Sequence, residues 1–395
     1  MGRPGTGQRI AARRWDPAGG SQAGVTLRSA FSAEPSAAAA VAAVAAELGD
    51  AADLFLAFVT AGYDLAEAAV ALTDWVGERV IACTSAGGID SGGFRREGMV
   101  VVALSGPDVQ VVTIPVLPVS DLDRAWEVAD GPLRAAVDAV PHQRQSRAGF
   151  ALMLVDGLSL REERVAEQVT ARLDGIPLIG GSAGDDLRFR QTAVLVDGRF
   201  VQDAASVTIV TTSAAFRRFR VQHHTAGDDV LVVTAATPQL RLVHTLNGRP
   251  AVEEYARHVG IPVDHLSPVV FSMHPLVLRA GGGSWIRSIS GVEPDGSLRF
   301  LCTADLGAVL RLGRAQDARL ALESTFDDLR SELGEVTGAL VFDCILRRLE
   351  FEETAVAGEL GRLLAERSVV GFSTYGEQYD GVHVNQTMVG IAFGR

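Results

Sequence analysis

Apolar positions along the chain gather in short unbroken runs, and between them lie stretches with helical spacing. "LFLAFVTAG" (54–62) has no polar residue until its seventh position, the mark of a strand buried on both faces. Before it, "SAAAAVAAVAAELGD" (36–50) is a helix by alanine propensity, stopped at Gly49. After it, "LAEAAVALTDWVG" (65–77) is an amphipathic helix, and "RVIACTSAGG" (79–88) is a strand running into a glycine turn. "MVVVALSG" and "VQVVTIPV" then read as two paired strands. The opening is therefore β-α-β followed by β-β, which predicts an α/β domain with a mixed sheet.

The unit repeats in outline. "RAGFALMLVDG" (147–157) is a strand, "LREERVAEQVTARLDG" (160–175) a helix with a charged outer face, and "IPLIGGSAGDD" (176–186) again a strand entering a glycine turn. "QTAVLVDGRFVQDAASVTIVTTS" (191–213) is a hairpin with Asp-Gly at its tip. The basic stretch "FRRFRVQHH" (216–224) separates this half from the next. There, "WIRSISGVEPDGSLRFLCTAD" (285–305) is a hairpin and "ARLALESTFDDLRSELG" (318–334) a helix. "GALVFDCILRRLEF" (338–351) passes from strand to helix, and "ELGRLLAERSVVGFSTYGE" (359–377) from helix through strand to a polar loop. The expected fold class is α/β, two-domain, with mixed β-sheets flanked by helices. Residues 1–30 are expected to be a disordered arm, 31–215 the first domain and 216–395 the second.

Three of the turns resemble one another. "IACTSAGG" (81–88), "LIGGSAGD" (178–185) and "VGFSTYGE" (370–377) each carry an apolar strand end, then Ser or Thr, then Gly; the first and third align without gaps with Ile81 on Val370. Glycine lets the backbone turn sharply and approach a ligand, and hydroxyls at strand ends offer donors and acceptors where open α/β sheets bind ligands. Thr84, Ser85, Ser182, Ser373 and Thr374 are candidates on that ground, against the plainer reading of ordinary tight turns.

Composition narrows the function. The 395 residues carry a net charge of −12, which offers no counterion-release gain on nucleic acid and no attraction to acidic membrane surfaces. Cys83, Cys302 and Cys344 are widely spaced with no CxxC, which excludes a disulfide framework and a cysteine-rich zinc site and points to a reducing, cytoplasmic compartment. No apolar run is long enough to span a membrane. The first residues hold Arg3, Arg9, Arg13 and Arg14 but no apolar core of a secretory signal. No P-loop, nucleophile elbow or HExxH is expected, so the chain is not read as an enzyme. Asp185-Asp186 read as solvated or capping residues. His223-His224 offer imidazoles suited to iron, against the reading of a polar strand edge. His383 reads as a hydrogen-bonding partner of the adjacent loop, and His274 as structural.

The chain resembles FIST-domain proteins from about residue 50 to its end. "ACTSAGGI", "LVDGLS…EE" and "PLIGGSAGDD" carry the N-terminal likeness. "LNGRPAVEEYARHVG", "IRSISGVEPDGSLRF", "FDCILRRLE" and "GFSTYGEQYDGVHVNQT" carry the C-terminal one. Gly88 stands where the family usually has an acidic residue. The resemblance implies a small-ligand sensory module of bacterial signalling. Its "FDCILRRLE" and "TYGEQY…HVNQT" segments are similar to the stand-alone, haem-binding, nitric-oxide-sensing members. That likeness implies a haem cofactor held by His223 or His224, nitric oxide as ligand, and output to a separate histidine kinase or cyclic-di-GMP enzyme. It also makes Ser373, Thr374, Tyr375, Glu377, His383 and Asn385 part of a pocket wall, with Tyr375 stacking on a porphyrin or donating to a bound diatomic. The competing expectation is a non-haem sensor for a small polar metabolite such as an amino acid.

Overall fold

The computed structural model describes residues 24–143 and 146–395. The apolar runs become the central strands of three units built to one plan. The first unit comprises β1 (Thr26–Ser32), α1 (Ala37–Leu48), β2 (Leu54–Thr60), α2 (Leu65–Val76), β3 (Val80–Ser85), a hairpin of β4 (Gly88–Asp90) and β5 (Gly93–Arg95), and β6 (Met99–Ser105). The second comprises β7 (Gln110–Val116), α3 (Leu122–Asp138), β8 (Gly149–Val155), α4 (Glu162–Arg172), β9 (Leu178–Ser182), a hairpin of β10 (Val194–Val196) and β11 (Arg199–Val201), and β12 (Ala205–Thr211). The third opens with β13 (Phe216–Val221). An inserted domain begins with β14 (His224–Thr237) and holds an eight-stranded sheet between residues 224 and 315. The unit resumes with α5 (Ala318–Leu333), β15 (Val336–Cys344), α6 (Ile345–Glu353), α7 (Ala357–Glu366), β16 (Val369–Thr374), a hairpin of β17 (Glu377–Tyr379) and β18 (Val382–Val384), and β19 (Met388–Gly394).

Each unit lends its hairpin to another unit's sheet. Sheet one has the order β1-β6-β2-β3-β10-β11, sheet two β18-β17-β9-β8-β12-β7, and sheet three β13-β19-β15-β16-β4-β5. The first hairpin extends sheet three, the second sheet one and the third sheet two, closing a ring of exchanges. The two domains expected on either side of residue 215 are therefore laced together by strands that cross the division.

Alternation within each central strand explains the apolar runs. Leu54, Leu56 and Phe58, with Phe150, Leu152, Leu154, Leu340 and Phe342, face one core shared by all three sheets. Their neighbours face that unit's own helices: Phe55, Ala57 and Val59 against α1 and α2, Ala151, Met153 and Val155 against α3 and α4, and Ala339 and Val341 against α5 and α7. Both faces are covered, so both are apolar along these runs, and polar residues such as Asp343 enter only at the strand ends. Ser36, Asp64, Asp121 and Asp317 cap α1, α2, α3 and α5 by accepting from backbone N–H groups.

The structure departs from three expectations. The arm expected over residues 1–30 ends before Thr26, because Thr26–Ser32 pair along their whole length with β6; residues 1–23 lie outside the described residues. β6 and β7 are not partners. Both edges of β6 are occupied by β1 and β2, so β7 has no edge to join and pairs with β12 in the next sheet. "FRRFRV" is no separator but an edge strand of sheet three, paired with β19.

Candidate functional site

The three resembling turns occupy equivalent positions. Val59 lies beside Thr84 across β2 and β3, Val155 beside Ser182 across β8 and β9, and Asp343 beside Ser373 across β15 and β16. This register sets Ile81, Ile179 and Val370 on one another. It bears out the gapless match of the first and third turns and moves the second by one residue. The turns meet in a ring of backbone hydrogen bonds. Ala86 donates to Ser373 O (3.1 Å), Gly184 to Thr84 O (3.0 Å) and Tyr375 to Ser182 O (3.1 Å). A second ring runs beside it: Ser373 donates to Gly87 O, Ser182 to Gly376 O and Thr84 to Ala193 O, at 2.8–2.9 Å.

The inner positions next to this ring are Cys83, Gly181 and Phe372. Phe372 stacks on Phe58 with ring centroids 4.3 Å apart. A Cβ on Gly181 would fall 2.9 Å from the Phe372 ring and 2.7 Å from Thr374, so one large ring and two small residues fill the axis. Gly88 leaves no room for a side chain, because a Cβ there would lie 2.3 Å from Val100. Its equivalent in the third hairpin is Glu377, by pairing with Gly181 as Gly88 pairs with Phe372. Glu377 is fully buried and accepts from the Thr374 and Thr387 hydroxyls at 2.5 and 2.7 Å. Burial pushes its carboxyl up to about 8, so it is protonated near neutrality.

A buried polar cluster lies at the strand end of sheet two, beneath the inserted domain. Gln378 donates its amide to Ser182 Oγ (2.9 Å) and approaches His383 Nδ1 at 3.1 Å. With Nδ1 accepting, His383 carries its proton on Nε2 and donates to Leu301 O of the insert (3.2 Å). Burial holds the ring neutral, down to about 4. Asn385 is fully buried, and neither its amide oxygen nor its amide nitrogen has a hydrogen-bond partner among the described residues; nor has Gln378 Oε1. Gly376 (φ +145°) passes so close that a Cβ would sit 2.7 Å from Asn385 Nδ2 and 2.4 Å from His383. Above them Arg241 of the insert binds both Glu162 and Glu163 and donates to Leu301 O (2.8 Å). One guanidinium faces two acids. Burial pushes Glu162 up to about 7, whereas Arg241, acting against the burial of Glu163, holds that carboxyl down to about 2.

A second polar array lies on the outer face of sheet three. Arg347 Nε donates to Asp343 Oδ1 (2.7 Å) and its Nη1 lies 3.0 Å from His223 Nδ1. A guanidinium only donates, so His223 Nδ1 accepts and Nε2–H donates to Glu350, 3.0 Å from each carboxylate oxygen. His224 Nε2 is 3.6 Å from Glu350, and neither of its ring nitrogens has a hydrogen-bond partner among the described residues. Burial and then Arg347 hold His223 down to about 3. Burial and then His223 hold His224 down to about 4. The His223 contact with Glu350 is thus a hydrogen bond from a neutral imidazole and not an ion pair, and His224 only approaches the same carboxylate. Asp343 Oδ2 and Ser373 Oγ beside it, and Ser85 Oγ, are also buried without hydrogen-bond partners among the described residues.

Every residue expected in the pocket is buried, but they do not form one cluster. Ser182, His383 and Asn385 belong to the cluster at sheet two, Thr374 and Glu377 lie on its inner side, and Ser373 belongs to sheet three. Thr84 Oγ1 is taken up by Ala193 N (3.0 Å). Tyr375 is not available to a ligand: its hydroxyl donates to Asp185 and accepts from Leu187 N (2.6 Å), and its ring stacks on Phe189. Asp185 accepts from the N–H groups of Phe189, Arg190 and Gln191, the capping role expected of it. Residues 180–184, "GGSAG", do have GxSxG spacing, contrary to the expectation of none. They lead to a loop and hairpin instead of a helix, and Ser182 Oγ faces the Gln378 amide instead of a base. A separate surface cleft of about 220 Å³, lined among others by Glu34, Tyr63, Arg96 and Arg188, contains none of these unpartnered groups.

The arrangement at His223 and His224 does not fit a porphyrin. Both imidazole side chains are wholly enclosed, His223 has both nitrogens engaged, and Glu350 stands close to His224 Nε2, where a haem needs an open face. The residues absent from the sequence expectations are Glu163, Arg241, Asp343, Arg347, Glu350 and Gln378. Only the i, i+3 and i, i+4 spacing of Asp343, Arg347 and Glu350 gave a local sign of them.

The fold defines a closed α/β body in which three strand ends meet at one polar junction, roofed by an inserted domain. The family model of the FIST N domain matches residues 53–249 and that of the FIST C domain residues 251–380, so the chain belongs to the FIST family, whose domains are small-ligand sensory modules of signalling proteins. No curated protein matches it. No helix among the described residues is long and apolar enough to cross a membrane.

Proposed function

We propose that this FIST protein senses a small polar metabolite of amino-acid type, bound at the buried polar cluster of Ser182, Gln378, His383 and Asn385. The observation that carries this reading is the Asn385 amide, fully buried with both polar atoms unpartnered. An unsatisfied buried group costs about 1–3 kcal/mol, and a ligand bearing both donor and acceptor groups would recover it. Asn385 Nδ2 suits a carboxylate, and the neighbouring Asn385 and Gln378 oxygens suit an ammonium or amide N–H.

The insert packed over this cluster supplies the signal. Leu301 O holds both His383 and Arg241, Ser288 Oγ binds Gln386 (3.0 Å), and Gln386 donates to Ser272 O (2.6 Å). Ligand entry requires these contacts to open, and a bound ligand bridging body and insert biases the position of the insert. The output partner belongs to the same proposal: a separate histidine kinase or cyclic-di-GMP enzyme that reads the insert.

The test is thermal unfolding of the full chain against the amino acids and related small polar metabolites. A true ligand at 100 times its Kd adds about 2.7 kcal/mol, a rise of several degrees that Asn385→Ala abolishes. No shift with any of them would overturn the reading. A Soret band in protein made with haem precursor, moving on addition of nitric oxide, would favour the haem reading instead.

A further inference from the structure

Consecutive residues of a strand point to opposite faces. His223 and His224 escape this rule because the chain is leaving sheet three at Val221 and entering the insert at His224. The bend brings their rings to one side, with centroids 4.3 Å apart. On the facing helix α6, Glu350 points into the same space. The Nε2 atom of His223 lies 3.0 Å from both Glu350 oxygens, and that of His224 lies 3.6 Å from one of them. Three donors bound to one first-row metal ion at about 2.0–2.2 Å are about 2.9–3.5 Å apart. The two spacings to Glu350 are therefore close to those of a ligand set, and all three donors lie within 4.8 Å of one another.

The second observation is His224 itself. It is buried, yet neither ring nitrogen has a hydrogen-bond partner among the described residues. A histidine kept only for packing would be better replaced by an apolar residue, since each unmade hydrogen bond is costly. Taken together, we propose that His223, His224 and Glu350 form a binding site for a borderline divalent transition-metal ion of the zinc or ferrous class. Two imidazoles and one carboxylate are a donor set for such ions and a poor one for magnesium or calcium. The ion would be bare, with no porphyrin, and the site is distinct from the polar cluster proposed to bind the metabolite.

The proton balance involves one neighbour. His223 now carries its proton on Nε2 and accepts from Arg347 at Nδ1. An ion on Nε2 moves that proton to Nδ1, and Arg347 must then let go. Its new partner is already in place: Arg347 Nε holds Asp343 Oδ1, and Asp343 Oδ2 has none. A turn of the guanidinium gives a two-point fork on Asp343. No proton is released by this exchange.

The test is titration of the chelator-treated full chain with Co²⁺, followed by visible absorption. One Co²⁺ per chain, with ligand-field bands that Zn²⁺ displaces, is expected. His224→Ala and Glu350→Gln should each weaken binding at least tenfold. His224→Ala removes no hydrogen bond from the ring, and circular dichroism checks that it folds. Should the variants fail to fold, X-ray absorption at the cobalt edge of the unaltered chain decides. A shell of nitrogen and oxygen with imidazole scattering supports the site, and an all-oxygen or sulfur shell overturns it. Absence of saturable binding, or unchanged affinity in His224→Ala, also overturns it, as does a Soret band that this substitution abolishes. Failure of the metabolite reading would appear only in thermal unfolding with amino acids and would leave the cobalt result untouched.

Discussion

The strand ends of units two and three start from the same geometry and end in opposite chemical states. In unit two the residue after β8 is Asp156, whose carboxylate accepts from Leu158 N (3.1 Å), Asp203 N (2.6 Å) and the Thr192 hydroxyl. Every acceptor there is used to tie loops together. In unit three the corresponding residue is Cys344, and the polar group has moved back one position to Asp343, where Oδ2 is unpartnered beside an equally unpartnered Ser373. Unit one resembles unit two: Thr60 exchanges hydrogen bonds with the backbone of Gly98 at 2.9 and 3.0 Å. Repetition supplies the scaffold, and the departures from it collect on the third unit and its hairpin, next to the insert. Local rules are broken where a site needs them broken.

The largest effects should fall on the shared scaffold. Phe372→Ala empties the axis where three sheets meet and is expected to cost about 3–5 kcal/mol. Asp156→Ala strands three donors and is expected to cost on the order of 3 kcal/mol. Both are read from urea unfolding as a fall in midpoint at constant slope. If Asp156→Ala proved as mild as a surface change, the contrast between a closed and an open strand end would be lost.

Glu377 sharpens the comparison through pH. Its folded pKa, about 8, is raised above the ordinary carboxyl value of 4.5. The folded state therefore keeps a proton that the unfolded chain gives up. The stability linked to it is complete below pH 4.5 and is lost as pH rises through 8, falling by about 1.4 kcal/mol per pH unit between those two values. Glu377→Gln should flatten this fall and be the more stable protein at pH 8, relative to its own stability at pH 5. An unchanged slope between those values would show that the carboxyl is ionised in the fold.

Much of this plan was legible in the chain. The unbroken runs at 54–59 and 149–155 announced strands covered on both faces, and the match of Ile81 to Val370 was already a repeat of structure. The second turn slipped by one residue because Leu178 and Ile179 are both apolar, and only pairing shows which faces the axis. Hairpin exchange was hidden because three-residue strands carry no signal for a partner far along the chain. The insert was hidden because its strands pattern like any others. The array on sheet three was least legible of all: Arg347 and Glu350 look like an ordinary helix face, and His223 meets Arg347 across 124 positions.

The smallest effects are the most discriminating, because they compare two hydroxyls at one repeated position. Ser182 Oγ accepts from Gln378 Nε2, whereas Ser373 Oγ has no partner. Ser182→Ala deprives a buried amide of an acceptor and is expected to cost about 1 kcal/mol. It also lets Gln378 turn, so ligand-dependent thermal shifts should weaken with it. Ser373→Ala removes a hydroxyl whose burial is uncompensated, so stability should hold within about 0.5 kcal/mol or rise. Equal losses in the two variants would mean that Ser373 has a partner in solution, a bound water or ligand reaching Asp343, and that the open end of unit three is filled.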